Sequence, residues 1–212
     1  MKKLIGMATL ALVAATPLAL AQDTGNWIVR GRALHLQSAN TNSGDLKATL
    51  TTLGSSEASI NDRWLPEFDI TYFFSPNLAV ELVLTYPQKQ TLSITNVGKI
   101  GTFKHLPPTL SLQYHFTGLS GFRPYVGAGL NYTNISDVQW GTTAQSLGLN
   151  LKRNSYGLSI GAGFDVPMGG GWLFNADIKK VQLKTDVSSF GTKIGTLKVD
   201  PTLISLGVGK RF

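Results

Sequence analysis

The last ten residues, LISLGVGKRF (203–212), alternate in a way that decides the fold. Ile204, Leu206 and Val208 are apolar, and a serine or a glycine stands between each of them. Such a period of two is typical of a β-strand, because successive side chains point to opposite faces. The chain ends on an aromatic residue, Phe212. A soluble domain gains little from such an end, whereas a strand in contact with lipid can use it.

Seven further segments alternate apolar residues with small or polar ones in the same way. They are residues 27–36, 67–74, 78–86, 110–116, 125–132, 156–166 and 172–179. Tilted strands of about ten residues are long enough to cross a bilayer. Proline supports this division, because a β-ladder cannot use proline inside a strand. All nine prolines lie in the first 21 residues, in connections or at strand ends.

The connections between these eight segments alternate in length. The short ones are residues 75–77, 117–121 and 167–171, and the long, polar ones are residues 37–63, 88–108, 133–154 and 185–199. Short turns on one side of a membrane and long loops on the other are typical of outer-membrane barrels. The sequence therefore predicts an all-β fold, an eight-stranded antiparallel up-and-down transmembrane β-barrel with short periplasmic turns and long extracellular loops.

Aromatic residues collect at both ends of the predicted strands. Trp27, Tyr72, Phe74, Tyr114, Phe116, Trp172 and Phe212 lie at the short-turn end, and Trp64, Tyr86, Tyr132 and Tyr156 lie at the long-loop end. Two such girdles mark the interfaces of a lipid-facing barrel. A secreted, soluble barrel of the lipocalin type is the alternative, because it also has eight antiparallel strands. Alternation alone does not distinguish the two, but the girdles, the glycine-rich second faces and the absence of cysteine favour the membrane barrel.

The first 21 residues have the features of a secretory signal peptide. Lys2 and Lys3 precede an apolar run over residues 4–15, and Ala19 and Ala21 form a small-x-small cleavage pattern. We expect residues 1–21 to be removed and residues 22–212 to form one outer-membrane barrel domain. The remaining chain carries 17 Lys+Arg and 12 Asp+Glu residues, a net charge of +5.

The composition argues against several functional classes. The basic excess is modest and no Lys/Arg stripe of the kind that reads phosphates is present, so nucleic acid is not expected as a partner. His35, His105 and His115 lack the spacing of metal ligands. No Ser/His/Asp set indicates catalysis. We therefore expect no enzyme activity, no metal and no cofactor.

Several segments resemble the outer membrane protein W family, the OmpW/AlkL family. They are HLPPTLSLQYHF (105–116), FRPYVGAGLNYT (122–133), NLAVELVLTYP (77–87) and VDPTLISLGVGKRF (199–212), and LKTDV (183–187) is similar to the AlkL side of that family. The resemblance implies a Gram-negative outer-membrane location and passage of small hydrophobic molecules through a narrow apolar channel that opens sideways through the barrel wall. It also implies the alternative of a surface receptor or structural barrel with a closed lumen, for bacteriocins or phage or in stress responses.

Charged residues fall on the inward faces of three neighbouring strands. The first strand places Arg30 and Arg32 inward, the second Glu67 and Asp69, and the third Glu81. Because buried charges need partners, these two cations and three carboxylates are expected to pair inside the barrel. One interpretation is a structural plug of salt bridges that closes the lower lumen. The other is a polar gate that makes apolar cargo leave sideways, and the two interpretations are compatible.

Candidate contacts for an apolar cargo come from two sources. The family resemblance implies Val83 and Tyr156 for the wall where cargo turns outward, although the parity of Tyr156 places it on the lipid side. The long connections carry apolar residues, among them Leu50, Leu53 and Trp140, that water-facing loops do not need. They are expected to form an apolar funnel above the membrane or, alternatively, to pack a core where the strands extend beyond the bilayer.

The C-terminal strand has the features of an assembly signal. Phe212 ends it, and Leu206 and Val208 precede it on the apolar face, a pattern that suits the barrel assembly machinery. The other expected partners are membrane lipid, lipopolysaccharide and small hydrophobic solutes. The predicted function is passive passage of such solutes across the outer membrane, with a polar, sealed lumen floor and a lateral exit.

Overall fold

The computed structural model describes residues 25–52 and 57–212, so that the predicted signal peptide and Leu53 lie outside the described residues. Its elements follow the chain as β1 (Trp27–Gln37), β2 (Thr41–Asn42), α1 (Gly44–Thr52), β3 (Ala58–Ile60), β4 (Arg63–Phe73), β5 (Leu78–Leu84), β6 (Gln88–Ile94), β7 (Gly98–Leu106), β8 (Thr109–His115), β9 (Arg123–Trp140), α2 (Thr142–Ser146), β10 (Leu149–Leu151), β11 (Asn154–Gly169), β12 (Trp172–Val181), β13 (Lys184–Ser189), β14 (Thr192–Lys198) and β15 (Thr202–Arg211). In the described part of the chain, neither helix is long and apolar enough to cross a membrane.

Eight of these strands form a closed antiparallel barrel. Their order around the ring is β1, β4, β5, β8, β9, β11, β12 and β15. The ring closes because β15 also pairs with β1, beginning with Ile28 opposite Arg211. At this seam the N–H of Trp27 donates to the carbonyl of Phe212 (3.2 Å), and the N–H of Phe212 donates to the carbonyl of Trp27 (2.9 Å). The predicted eight-stranded barrel is confirmed, and the terminal aromatic residue belongs to its ladder.

The direction of the side chains separates this barrel from a soluble one. On β8, Leu110, Leu112 and Tyr114 are exposed, whereas Ser111 and Gln113 are buried. The polar face therefore points into the lumen and the apolar face points outward. A lipocalin-type barrel has the reverse arrangement, because its outer face meets water. An apolar outer band is favourable only in lipid, which confirms the membrane barrel.

The two predicted aromatic girdles lie on the outer surface. All of their members are exposed except Tyr72, which is half-buried. The ring of Tyr72 packs between those of Trp27 (4.6 Å between centroids) and Phe74 (5.2 Å). At the opposite end, the rings of Tyr132 and Tyr156 lie 5.1 Å apart. The girdles bracket the part of the barrel that faces hydrocarbon.

The long connections, predicted as polar loops, contain further strands and both helices. The hairpin of β6 and β7 lies between β3 and the extension of β9 beyond the girdle. A second sheet has the strand order β10, β13, β14 and β2. These elements form because their apolar residues bury one another outside the membrane. This is the second alternative for the loop residues, a core packed by strands that extend beyond the bilayer.

Among the described residues, fifteen buried ones form this extracellular core. They are Leu46, Leu50, Ala58, Ile60, Leu92, Ile94, Ile100, Phe103, Ile135, Ala144, Leu151, Leu183, Val187, Leu197 and Val199. They come from both sheets and both helices. The unit above the membrane is therefore a small folded layer with its own apolar interior, placed over the open end of the barrel.

Candidate functional site

The lower lumen is organised around Arg30, whose side chain is fully buried. Its guanidinium forms a bidentate pair with Asp165, in which Nε lies 3.2 Å from Oδ1 and Nη2 lies 2.8 Å from Oδ2. Nη1 donates to Asp69 Oδ1 and to Thr71 Oγ1, both at 2.8 Å. Two planar, charge-assisted contacts hold the fork in one orientation. Arg30 thus ties β1 to its neighbour β4 and, across the lumen, to β11.

Arg32 lies two residues after Arg30 on β1, closer to the extracellular end, and contacts three carboxylates. Its Nε lies 2.6 Å from Glu67 Oε1, and its Nη2 lies 3.0 Å from Asp69 Oδ2 and 3.3 Å from Glu81 Oε1. Nη1 donates to Asn175 Oδ1 at 3.0 Å. All five residues predicted for this cluster therefore point inward and are connected in one network of salt bridges.

Lys179 completes the cluster from the opposite wall. Its Nζ lies 3.2 Å from Glu81 Oε2 and 2.7 Å from Asp177 Oδ1. The strands of Lys179 and Glu81, β12 and β5, are four places apart in the ring of eight. Tyr125 on β9 donates its hydroxyl to Asp177 Oδ2 at 2.9 Å. The charged groups therefore join opposite walls of the barrel.

Three residues of this cluster were missed by sequence reasoning, namely Asp165, Asp177 and Lys179. Each lies on the inward parity of its strand, so the same alternation that identified Arg30 was available for them. With them, the lumen floor consists of three cations and five carboxylates whose side chains are at most 6% exposed. We call these eight residues the charge cluster.

Glycines on β15 make room for the two arginines. A Cβ at Gly207 would lie 2.7 Å from Arg32 Cγ, and a Cβ at Gly209 would lie 2.7 Å from Arg30 Cγ. Side-chain atoms do not approach so closely without displacement. The inward glycines of β15 therefore give space to large charged neighbours and do not leave it empty.

An apolar cavity lies directly above the charge cluster. It offers about 40 Å³ to the centre of a water molecule, and Glu67 and Lys179 lie at its floor. Its wall is mostly aliphatic and includes Leu34, Leu36, Ile60, Leu65, Val83, Phe103, Ile135, Val181, Leu183, Val199 and Leu203. Val83 was predicted for this role and is 4% exposed. We call this space the lower cavity.

The barrel wall is interrupted beside the lower cavity. Strands β5 and β8 pair as far as Val83 opposite Thr109, and pairing resumes with Gln88 opposite His105 on β6 and β7. Between these points, residues 84–87 face residues 106–108 with no ladder pair in the described structure. We call this interruption the wall break. Val83 and Thr109, which both line the lower cavity, mark its lower edge.

A side chain of β9 holds the residues that form one side of the wall break. Asn131, which is 3% exposed, donates its amide to the carbonyls of Pro107 (3.3 Å) and Pro108 (3.2 Å). The two prolines have no N–H to offer the neighbouring strand. Residues 107 and 108 are therefore fixed to β9 on one side, whereas they form no ladder pair with residues 84–87 on the other.

A second apolar cavity lies within the extracellular core and offers about 240 Å³ to the centre of a water molecule. Two of the predicted cargo contacts, Leu50 and Trp140, line it. We call it the upper cavity. Tyr156 lies elsewhere, on the outer surface of the barrel, where it is 73% exposed.

The predicted assembly residues lie on the outer face of β15. Leu206, Val208 and Phe212 are 49%, 48% and 63% exposed. Lys210 lies between Val208 and Phe212 on this face, with its Nζ 5.1 Å from the centroid of the Trp172 ring. Among residues 25–52 and 57–212, no three His, Cys, Asp or Glu side chains are placed to hold a metal ion.

Outside the membrane-spanning segments, three groups have shifted pKa values. A hydrogen bond from Lys104, 2.7 Å away, lowers the pKa of Asp137, and one from Lys193 lowers the pKa of Asp186. Burial lowers the pKa of His105, on the extracellular strand β7, to about 4. The two aspartates are ionised surface groups, and the histidine is neutral at physiological pH.

Comparison with known proteins gives one consistent result. The sequence profile of the OmpW family matches residues 23–212. Outer-membrane protein y4mB of Sinorhizobium fredii is 34% identical over 94% of this chain and 86% of its own length. Outer membrane protein W of Vibrio cholerae is 32% identical over 98% and 97%. The dibenzothiophene metabolism operon protein PahQ of Pseudomonas aeruginosa is 30% identical over 75% of both chains.

A solved structure agrees with the fold. The crystal structure of the outer membrane protein OprG from Pseudomonas aeruginosa superposes with a TM-score of 0.73. The two chains are 27% identical, and the match covers 89% of this chain and 96% of OprG. The barrel and its extracellular layer therefore match an experimentally determined architecture almost end to end.

Proposed function

This chain belongs to the OmpW family of Gram-negative outer-membrane barrels, and from that premise we propose that it assists the passive passage of small hydrophobic molecules. In this proposal an apolar solute passes from the upper cavity to the lower cavity and leaves through the wall break into the hydrocarbon layer. The observation that carries the proposal is the position of the lower cavity. The cavity is bounded at its side by the wall break and below by the charge cluster.

The charge cluster supports a sideways exit. An eight-stranded barrel has a lumen barely wider than its own side chains, and here that space is crossed by the contacts of Arg30, Arg32 and Lys179. Removing one partner of a buried ion pair costs about 3–5 kcal/mol. An apolar solute offers nothing in exchange for such contacts, so a route through the floor is closed to it. In this proposal the charge cluster is both the structural plug and the gate, because the same salt bridges close the lumen and direct apolar solute to the side.

The upper cavity supports intake from outside. Lipopolysaccharide keeps apolar solutes away from the outer leaflet. An apolar cavity outside the hydrocarbon layer lets such a solute pass the sugars inside the protein. Leu50 and Trp140 are apolar contacts there. The relative named for a dibenzothiophene metabolism operon is consistent with an apolar cargo, since dibenzothiophene is an aromatic hydrocarbon-like molecule. The outward edge formed by Leu206, Val208 and Phe212 supports recognition by the barrel assembly machinery.

Uptake of matched solutes tests the proposal. The chain is expressed in a Gram-negative strain that lacks its own homologue, and uptake of a medium-chain alkane is compared with that of a hydrophilic solute of similar size. We expect faster uptake of the alkane alone. Val83→Trp, which fills the lower cavity at the wall break, is expected to return alkane uptake towards the level of cells without the protein. Val126→Trp is the control, because Val126 is 46% exposed on the outer face.

The other outcomes are equally informative. Faster uptake of both solutes would mean a water-filled pore and an open floor. No change in either, with a folded barrel demonstrated by heat-modifiable gel mobility, would favour the surface receptor or structural barrel. An equal loss with both tryptophan variants would contradict the route through the wall break.

A further inference from the structure

Two polar side chains of the lower cavity have no partner. Gln90 on β6 is 1% exposed, and neither its Nε2 nor its Oε1 has a hydrogen-bond partner among the described residues. Thr85 lies within the wall break, and its buried Oγ1 also has no hydrogen-bond partner among the described residues. Both residues line the lower cavity. Buried polar groups in folded proteins nearly always have a partner, so each exception needs an explanation.

Several other polar side chains around this cavity have hydrogen-bond partners. Thr133 donates its hydroxyl to Asn131 Oδ1 (2.8 Å), and Thr185 donates to the carbonyl of Lys152 (3.0 Å). Gln88, two residues before Gln90 on the same face of β6, donates its amide to the carbonyl of Tyr86 (3.0 Å). The buried polar atoms of this cavity without a partner among the described residues are thus Thr85 Oγ1, inside the wall break, and those of the Gln90 amide, two residues beyond the point where ladder pairing resumes.

The charged groups at the cavity floor exclude a charged ligand head. Glu67 is held by Arg32 at 2.6 Å, and Lys179 is held by Asp177 at 2.7 Å. An ionised head would enter an apolar space without a free counter-ion, which is strongly unfavourable. A neutral group that both donates and accepts a hydrogen bond matches the amide of Gln90, which offers two donors and an acceptor.

We propose that Gln90 forms a hydrogen-bonding subsite for the hydroxyl group of a neutral medium-chain alcohol whose first carbon atoms occupy the lower cavity. The inference deepens the proposed function and rests on it for the direction of transport. The apolar wall around Leu34, Leu65 and Leu203 contacts the carbon atoms next to the hydroxyl. The protein then distinguishes an oxygenated hydrocarbon from a plain one by a single polar contact beside the wall break.

Selective uptake is the first test. Uptake of 1-decanol and of decane is measured in the same strain with the unchanged chain, with Gln90→Leu and with Gln88→Leu as the matched control. Gln90→Leu is expected to lower the ratio of decanol to decane uptake by about tenfold, the factor that one buried hydrogen bond provides. Gln88→Leu is expected to leave the ratio unchanged.

Binding to the purified protein in lipid nanodiscs is the second test. The side-chain amide resonance of Gln90 is expected to shift saturably on titration with decanol and not with decane. No shift, or the same shift with both, would overturn the subsite and assign the amide to a water molecule. A loss of both uptakes to the same extent in Gln90→Leu, or no effect on either, would overturn it as well.

The two tests separate this inference from the proposed function. If cells with the unchanged chain take up neither compound faster than cells without it, the conduit is wrong. The titration still decides the subsite in that case. If decane uptake is accelerated and the titration with decanol is negative, the conduit stands and the subsite does not.

Discussion

The lower and upper halves of this lumen are built on the same eight strands and differ in almost everything else. In the lower half, Arg30, Arg32 and Lys179 meet five carboxylates and join opposite walls. In the upper half, above the charge cluster, aliphatic side chains surround the lower cavity beside the wall break. Both halves obey the same alternation of inward and outward residues. Alternation therefore decides which residues face the lumen, and their chemistry decides what that part of the lumen does.

The two halves also differ in how they respond to change. A buried ion network has few acceptable geometries, because each group needs its partners at hydrogen-bond distance. An aliphatic wall has no directional contacts and adapts to an occupant of similar volume. The lower half is therefore suited to closure and the upper half to accommodation. Substitutions in each half test this difference.

The largest effect is expected for Arg32→Met. The change removes the guanidinium from Glu67, Asp69 and Glu81 and leaves buried carboxylates without their cation. Breaking a buried pair in this way costs about 3–5 kcal/mol. We expect a loss of that size in the free energy of unfolding, measured by urea titration in lipid vesicles with gel mobility as the readout. Arg153→Met is the control, because Arg153 is exposed. Equal stability of the two variants would contradict a structural role for the charge cluster.

A somewhat smaller and more local effect is expected for Leu46→Ala. Leu46 is 2% exposed in the extracellular core, and truncating a buried leucine costs about 2–5 kcal/mol. Because the core lies outside the barrel, the loss is expected in the extracellular layer alone. Proteolysis of the intact protein in vesicles measures it, while heat-modifiable mobility of the barrel stays the same. Leu119→Ala, in a periplasmic turn where the side chain is 53% exposed, is the control. Loss of the barrel itself would show that the two units fold as one.

The alternation of inward and outward residues explains which features of the lumen can be predicted from the sequence. Each barrel strand has only two faces, so its alternation is enough to assign Arg30, Arg32 and Glu81 to the lumen. It is not enough to pair them. Lys179 reaches Glu81 from the opposite wall at 3.2 Å, and Asp165 lies three strands away from Arg30 around the ring. Neighbour relations along a sheet do not contain such contacts across the lumen.

The extracellular strands are harder to find from sequence for a different reason. The pairing of β6 with β7 shifts between Leu92 and Ser93, and that of β7 with β9 shifts between Thr102 and Lys104. A bulge adds one residue and so exchanges the two faces of a strand. As a result, four successive residues of β7 are buried. A search for strict period two ends at each bulge and assigns the segment to a loop.

Acid conditions are expected to affect the upper half through His105. Burial lowers its pKa to about 4 from an ordinary value of 6.5. Between these values the unfolded chain binds more protons than the folded one, so stability falls as the pH drops through this window. Above about pH 7 the group contributes no pH dependence. Unfolding midpoints of the unchanged chain and His105→Gln between pH 4.5 and 7.5 are the measurement. A shallower dependence in the variant is expected, and parallel curves would contradict it.

The smallest effect is expected where charges are paired in water. Lys104 and Asp137 lie 2.7 Å apart, about as close as Arg32 and Glu67 at 2.6 Å, yet their side chains are 44% and 51% exposed. Water and salt screen such a pair, and removing it leaves no buried charge behind. We expect Lys104→Met to leave the unfolding midpoint unchanged at about 0.15 M salt. The hydrogen bond from Lys104 lowers the pKa of Asp137. In the variant this pKa is expected to rise towards its ordinary value, which the carboxyl carbon resonance of Asp137 measures. A loss of stability like that of Arg32→Met would mean that burial is not what separates the two pairs, since the distances are almost equal.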